Sequence, residues 1–273
     1  MFCASCADIV LASNGVKGHL VIIGGGEVPT AVLKEFINLA GGPEKARILV
    51  IPMASAEPEE SAKAQVETFK TLGVQDVKGL LVRREAGEAI LKAIDGATGI
   101  YFTGGDQARL ATNLVGTPAQ EKLLQIYRRG GVIGGTSAGA AIMSKVMITG
   151  EQNLHPDAKD GFNTIEKSNV ITREGLGFVT NAIIDQHFIA RKRQNRLIGL
   201  ALENPTLLGI GIDERTAVVL RPDGMLDVIG EGAVMIFDAR AATGVRTAAN
   251  GNLAGRNVIT HLLTAGDRFD PRK

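Results

Sequence analysis

A serine lies at the centre of a run of small residues that can place it on a sharp turn. Residues 135–139 (Gly-Thr-Ser-Ala-Gly) fit the G-x-S-x-G pattern, an apolar segment precedes them, and the residues after Ser137 can begin a helix. Such a turn needs small neighbours, and the helix N-terminus directs free N–H groups towards an anion beside the serine. The pattern is typical of a serine acyl-transfer enzyme. The alternative is a Gly/Ala-rich turn with an N-capping serine.

A serine nucleophile needs a base, and the sequence contains four histidines. His187 is the best candidate because it directly follows residues 182–186, an apolar segment that predicts a buried strand. His19 precedes the first predicted strand, His155 lies in a polar stretch, and His261 lies near the C-terminus. A histidine at a strand end is more often structural, so this choice depends on the serine motif.

Two further motifs follow apolar segments. Asp213 and Glu214 are adjacent carboxylates that project to different sides, so at most one of them should face the base. The alternative is that they form a charged surface turn. Residues 103–107 (Thr-Gly-Gly-Asp-Gln) contain glycines whose N–H groups can join that of Ala138 as an oxyanion hole. The alternative for this motif is an ordinary glycine-rich β–α turn.

Cofactor and metal motifs are weak. Residues 22–27 (Ile-Ile-Gly-Gly-Gly-Glu) are similar to a dinucleotide-binding turn, but the third glycine of that pattern is missing. A tight turn near the active face is the better interpretation, and we predict no nucleotide cofactor. Cys3 and Cys6 are the only cysteines, which leaves a zinc site short of two ligands, so no metal is predicted.

Apolar runs alternate with amphipathic segments over most of the chain. The predicted strands are residues 19–23, 48–52, 77–82, 100–103, 132–134, 182–186 and 208–212. The predicted helices are residues 30–40, 59–72, 85–94, 107–115, 119–129, 138–144 and 191–203. Ile/Val-rich strands separated by helices indicate an α/β fold, with a mostly parallel sheet covered by helices on both faces. Such sheets bind ligands at the carboxyl ends of their strands, where each of these motifs lies.

The pattern changes after residue 212 to short β-type runs. Residues 217–220, 225–229 and 233–237 predict an antiparallel extension of the same domain, with a turn at 221–224. No low-complexity linker separates this part from the rest. We therefore predict a single α/β domain over residues 18–273, preceded by a loosely ordered leader over residues 1–17.

Charge and hydropathy exclude several classes of partner. Thirty basic and 29 acidic side chains give a net charge of +1, which provides no global field to attract nucleic acid or an anionic membrane. No apolar run is long enough to span a bilayer. The N-terminus lacks the basic region of a signal peptide, and we predict a cytoplasmic protein.

The motifs together resemble the serine peptidase family that contains the cyanophycinases and the aspartyl dipeptidases. The resemblance rests on residues 102–107, 135–140, 184–188 with the arginines that follow, and 211–214, and it covers about residues 18–237. It implies an architecture like that of the class I glutamine amidotransferases. The order Ser, His, Glu also differs from the Ser, acid, His order of α/β-hydrolases.

The resemblance implies a role for each motif. Ser137 is the expected nucleophile, His187 the general base and acid, and Glu214 the residue that orients His187. The N–H groups of Gly105 and Ala138 are the expected oxyanion donors. No metal or organic cofactor is required.

The resemblance also implies substrate-binding residues: Asp106, Gln107, Asp185, Gln186 and Arg196. For Arg196 the alternative is a solvated helix face, because other arginines lie close to it in the sequence. Residues 149–175 match the family poorly, so substrate preference is the least determined property.

Family members cut cyanophycin, a polyaspartate that carries arginine on each side-chain carboxylate, into β-aspartyl-arginine dipeptides. The resemblance therefore implies an exopeptidase that acts on this polymer, or on β-aspartyl peptides, as a homodimer. One alternative is an aspartyl or isoaspartyl dipeptidase of the same family. A non-catalytic binding protein on the same scaffold is the other, and it is disfavoured because all three triad residues are present.

Overall fold

The computed structural model describes residues 15–158 and 161–273, and strands contribute more buried apolar residues to its core than helices do. The strands are β1 (His19–Ile23), β2 (Arg47–Ile51), β3 (Asp76–Gly79), β4 (Gly99–Phe102), β5 (Val132–Thr136), β6 (Val146–Gln152), β7 (Val170–Glu174), β8 (Ala182–Asp185), β9 (Leu208–Ile212), β10 (Thr216–Leu220), β11 (Leu226–Gly230), β12 (Ala233–Asp238), β13 (Thr243–Thr247), β14 (Leu253–Arg256), β15 (Ile259–Thr264) and β16 (Arg268–Phe269). The helices are α1 (Thr30–Leu39), α2 (Pro58–Thr71), α3 (Glu88–Asp95), α4 (Gln107–Leu114), α5 (Pro118–Arg128), α6 (Ala138–Ala141) and α7 (Gln194–Glu203).

The larger sheet has eight strands in the order β16-β11-β10-β1-β5-β4-β2-β3. Strands β1, β5, β4, β2 and β3 are parallel, and β10, β11 and β16 extend one side in antiparallel pairing. Helices cover both faces: in β1, Val21 and Ile23 pack into the core beneath α1, whereas Leu20 and Ile22 pack into the core on the other face. This alternation follows from the two-residue period of a strand. The predicted α/β class with a mostly parallel sheet and an antiparallel extension is confirmed.

A smaller sheet of four strands has the order β15-β12-β9-β8. Strands β8 and β9 are parallel to each other, and α7 packs against β9 and β12. The expectation that all the motif-bearing strands share one sheet is wrong, because β8 and β9 lie in this second sheet. Apolar runs predict that strands exist, but the pairing of a strand is decided by its neighbours in space.

Several segments differ from the sequence-based prediction. Residues 146–174 contain an antiparallel pair, β6 and β7, and the chain after residue 238 adds β13 to β16. The helix predicted at 138–144 is shorter, and the helix predicted from residue 191 begins at Gln194. The later start has a local cause, since Lys192 adopts a positive φ of 51°, which a helix does not allow.

The predicted leader falls largely on residues 1–14, including Cys3 and Cys6, and these lie outside the described residues. Of the remainder, Val16 is buried and the Lys17 N–H donates to the carbonyl of Arg128. None of the described helices combines the length and apolar character needed to cross a membrane.

Candidate active site

Ser137 occupies the sharp turn between β5 and α6. Its backbone has φ 55° and ψ −113°, a conformation that a residue with a side chain rarely adopts. The Ser137 N–H donates to the carbonyl of Ile23 at the end of the neighbouring strand β1. This conformation turns the chain abruptly and presents the hydroxyl at the carboxyl end of the larger sheet.

The two glycines of the motif are required by close packing. A Cβ on Gly135 would lie 2.6 Å from the backbone carbon of Gly139. A Cβ on Gly139 would lie 2.8 Å from the Cβ of Phe102 in β4. The glycines therefore let strand, turn and helix approach one another closely enough to form the turn.

His187 lies beside Ser137, with a distance of 2.9 Å between its Nε2 and the serine Oγ. It lies two residues after the end of β8, and its own N–H donates to the carbonyl of Gly24 at 2.6 Å. The next residue, Phe188, donates its N–H to Ile212 of β9. Backbone bonds to the glycine loop after β1 and to β9 thus fix the backbone at His187, and the residue is almost completely buried.

Glu214 holds the other ring nitrogen, with 2.5 Å between its Oε1 and the His187 Nδ1. When Nδ1–H donates to this carboxylate, Nε2 of the neutral ring is left as an acceptor for the Ser137 hydroxyl. Asp213 points elsewhere, since its Oδ1 accepts the N–H groups of Ile189 and Ala190. Each of the two adjacent carboxylates thus has its own partner, and one faces the imidazole.

The three glycines after β1 form the surface against which the imidazole and Glu214 lie. A Cβ on Gly25 would be 2.5 Å from Nε2 of His187, and a Cβ on Gly26 would be 3.1 Å from Oε2 of Glu214. Both glycines have positive φ, 108° and 69°. The sequence suggested a tight turn near the active face here, but it gave no sign that the glycines make room for these two side chains.

The pKa of His187 is lowered from the ordinary histidine value. Burial is the largest cause because it disfavours the charged imidazolium, and the positive charges of Arg191 and Arg193 act in the same direction. The hydrogen bond and charge of Glu214 oppose this shift. The lowered pKa keeps the ring neutral at neutral pH, which is the form that accepts a proton from a serine.

Backbone from two motifs lies beside Ser137. Ala138 is the first residue of α6, so its N–H has no acceptor within the helix. Gly104 packs directly on the serine, since a Cβ there would lie 3.4 Å from the Ser137 Cβ and 3.9 Å from its Oγ. Gly105 follows with φ 138° and packs against the backbone of residues 54–55.

Asp185 and Arg196 form a buried ion pair. Asp185 is 0% exposed and Arg196 is 3% exposed, and the guanidinium donates to both carboxylate oxygens. Phe162 packs on the guanidinium at 5.5 Å from its ring centroid. The structure thus places these two predicted substrate-binding side chains inside the protein, where they bond to each other and where Asp185 also accepts the N–H of Gln186.

Gln186 is also buried, and its side-chain oxygen accepts from Arg193, which donates to the Gln186 carbonyl as well. Burial, followed by the charge of Arg196, lowers the pKa of Arg193 to about 10, which leaves it charged at neutral pH. Arg191 is exposed nearby. Positive charge beside the imidazole therefore comes from Arg191 and Arg193, to which the sequence analysis gave no role of their own.

The remaining predicted pocket residues lie at the start of α4. Asp106 caps this helix by accepting the N–H of Ala108 at 2.8 Å and stays partly exposed. Gln107 is buried, and its Nε2 donates to the carbonyls of Ile148 and Thr149 in β6. Asp106 thus faces a surface accessible to ligands, whereas the amide nitrogen of Gln107 fastens β6 to this turn.

The site as a whole lies between the two sheets. Ser137 and Gly105 follow strands of the larger sheet, whereas His187 and Glu214 follow β8 and β9 of the smaller one. Among residues 15–158 and 161–273, no group of three or more His, Cys, Asp or Glu side chains is placed to hold a metal ion. The chemistry available at this position is that of a serine, a neutral imidazole and free N–H groups.

Comparison with known proteins identifies a family of peptidases. The pattern of peptidase family S51 matches residues 20–228. The cyanophycinase of Trichormus variabilis is 37% identical over 266 residues, covering 94% of this chain and 86% of its own. The cyanophycinase of Geminocystis herdmanii is 37% identical over 265 residues, covering 93% of this chain and 94% of its own.

Solved structures show the same architecture. A peptidase from an acI-B1 Actinobacterium superposes with a TM-score of 0.69 at 25% identity, covering 94% of this chain and 98% of that chain. A putative peptidase E protein from Listeria monocytogenes superposes with a TM-score of 0.54 at 20% identity, covering 78% of this chain and 98% of that one. The second likeness concerns the fold alone.

Proposed function

The chain belongs to peptidase family S51 and is a serine-type peptidase, and from this premise we propose that it hydrolyses cyanophycin to β-aspartyl-arginine through Ser137, His187 and Glu214. The observation that carries the proposal is the continuous hydrogen-bonded chain from Ser137 through His187 to Glu214, in which the serine occupies a strained turn. A nucleophile, a base and a group that orients the base are the parts that acyl transfer requires.

In the proposed reaction, Oγ of Ser137 attacks the backbone carbonyl carbon of an aspartyl residue while Nε2 of His187 takes the hydroxyl proton. The oxyanion that forms accepts hydrogen bonds from the N–H groups of Ala138 and Gly105. Glu214 stabilises the imidazolium and holds its Nδ1–H. His187 then gives its proton to the leaving amine as the C–N bond breaks, and an acyl-enzyme remains.

Water completes the cycle. His187 removes a proton from the water that attacks the acyl carbon, and it returns that proton to Oγ of Ser137 as the ester bond breaks. The second product carries the new carboxyl group. The protein's own residues therefore supply every proton transfer in the cycle.

The substrate assignment is supported by the relatives and by the charge beside the base. The relatives named above are cyanophycinases. Arg193 remains charged although it is largely buried, and Arg191 lies exposed nearby, so this side of the site suits a carboxylate. Cyanophycin carries a free arginine carboxylate on each repeat. Action as a homodimer and a cytoplasmic location stay predictions.

Incubation of the purified protein with insoluble cyanophycin tests this proposal. We expect the wild type to release β-aspartyl-arginine, identified by mass spectrometry, and Ser137→Ala to lose at least about a thousandfold in rate while keeping its thermal unfolding midpoint. Full activity of Ser137→Ala would contradict the serine mechanism. Cleavage of isoaspartyl dipeptides without cleavage of the polymer would favour the dipeptidase alternative, and no cleavage of either would favour a binding protein.

A further inference from the structure

A cavity of about 440 Å³ opens beside the turn that carries Gly105. Its volume is in the range that holds small organic ligands, roughly 300–1,000 Å³. Two cationic side chains line it, those of Arg83 and Arg109, against the single carboxylate of Asp106. The charge of its lining therefore favours an anion.

The order of strands in the larger sheet places this cavity relative to Ser137. Neighbouring strands run β1, β5, β4, β2, and their carboxyl ends meet at one edge. Ser137 follows β5, and the imidazole of His187 rests on the glycine loop after β1. The cavity is lined by Asp106, which follows β4, and by Ser55, which follows β2. The cavity and His187 thus lie on opposite sides of the nucleophile.

The two arginines of the cavity keep free donors. Arg83 is exposed and forms no ion pair with a residue in the described part of the chain. Arg109 donates one Nη1 bond to the Ser55 carbonyl at 3.3 Å, lies 4.0 Å from Asp106, and has a side chain that is 51% exposed. The neighbouring Arg84 differs, since its guanidinium donates to two backbone carbonyls of the α4 region.

We propose that this cavity is a second carboxylate-binding subsite of the substrate cleft, on the side of Ser137 opposite to Arg191 and Arg193. The proposal rests on the proposed function, because a chain with one carboxylate per repeat presents such a group on each side of the bond that is cut. A guanidinium binds a carboxylate through two parallel N–H bonds. Arg83 and Arg109 thus favour substrates long enough to extend past Ser137 into the cavity, compared with substrates that end at Ser137.

Binding to the Ser137→Ala protein tests the subsite without turnover. The probe is a soluble oligomer of three β-aspartyl-arginine units, and its Kd is measured by titration calorimetry. We expect Arg83→Gln together with Arg109→Gln to weaken binding about tenfold, as loss of one charge-assisted contact does. Arg128→Gln is the matched control, because Arg128 is exposed at the end of α5, before β5 begins, and so lies at the opposite edge of the sheet.

A second probe separates the carboxylate from general charge. In the same oligomer with its arginine carboxylates converted to amides, the double substitution should have no further effect on Kd. The subsite proposal is wrong if the Ser137→Ala protein binds the unmodified oligomer and the double substitution leaves the Kd of that binding unchanged. In that case, cleavage of cyanophycin by the wild type would still support the proposed function. If the oligomer is neither bound by Ser137→Ala nor cleaved by the wild type, both proposals fail.

Discussion

The nucleophile and the base of this site are held in place by different means. Ser137 lies on one continuous strand-turn-helix unit, β5 to α6, whose glycines pack within the unit and against the adjacent strand β4. His187 is held by groups from distant parts of the chain, namely the backbone of Gly24 and the carboxylate of Glu214. A local unit fixes the serine, whereas the meeting of two sheets fixes the imidazole.

This difference predicts where substitutions act. Changes far from His187 in sequence should displace the base or destabilise its surroundings, because no local unit maintains its position. Substitutions far from Ser137 in sequence should affect its position less, because its own strand-turn-helix unit maintains it. Three measurements test the comparison.

Arg196→Ala should have the largest effect, a loss of about 3–5 kcal/mol in the free energy of unfolding. The reason is that Asp185, which precedes Gln186 and His187, is 0% exposed and would lose both guanidinium hydrogen bonds, leaving Arg193 at 3.9 Å as its remaining ion-pair partner in the described part of the chain. Denaturant unfolding measures the loss, and Arg191→Ala, which alters an exposed arginine, is the control. If Arg196→Ala instead kept its stability and had a raised KM, the result would support Arg196 as a residue that contacts substrate.

Gly25→Ala should lower kcat about a hundredfold, because the new Cβ would meet the imidazole and displace the base. Gly42→Ala is the matched control, since Gly42 also has positive φ but has nothing within 4 Å of an added Cβ. We expect the control to lose roughly 1 kcal/mol of stability and to keep its kcat. Equal kcat values for the two variants would show that the glycine loop does not position His187.

The pH dependence should give the smallest effect. Because the pKa of His187 is lowered from 6.5, kcat/KM should fall only as the pH drops below that value and the imidazole gains a proton. Arg191→Gln removes a positive charge that lowers this pKa, so the midpoint of the acid limb should move to higher pH. Arg128→Gln, far from the site, should leave the midpoint unchanged. A midpoint above 6.5 in the wild type, or a shift to lower pH in Arg191→Gln, would contradict this account.

Much of the fold could be predicted from the sequence because the signals were local. Strands such as β1 and β9 were predicted with the bounds that the structure has, since an Ile/Val-rich run between turns leaves few alternatives. The strands after residue 238 were not predicted. Most residues of β13 and β15 are exposed, so these strands carry no strong apolar pattern.

The candidate site was predicted in part. Ser137, His187 and Glu214 were named from motifs at strand ends, and the structure brings them within hydrogen-bonding distance. The burial of Arg196 against Asp185 was not predicted, because a sequence does not reveal that a charged residue will be buried beside a particular carboxylate. The basic lining supplied by Arg83 and Arg109 was missed, since no motif connects residues that only the order of strands brings beside the nucleophile.

The sequence by itself determined the α/β class and the turn that carries the nucleophile. Both depend on periodicity and on small residues at fixed spacing, and these act over a few neighbouring positions. Only the tertiary structure decided that β8 and β9 form a second sheet, and that Gly25 and Gly26 make room for the imidazole and its carboxylate. These outcomes depend on contacts between segments far apart in the chain, which no local pattern of residues specifies.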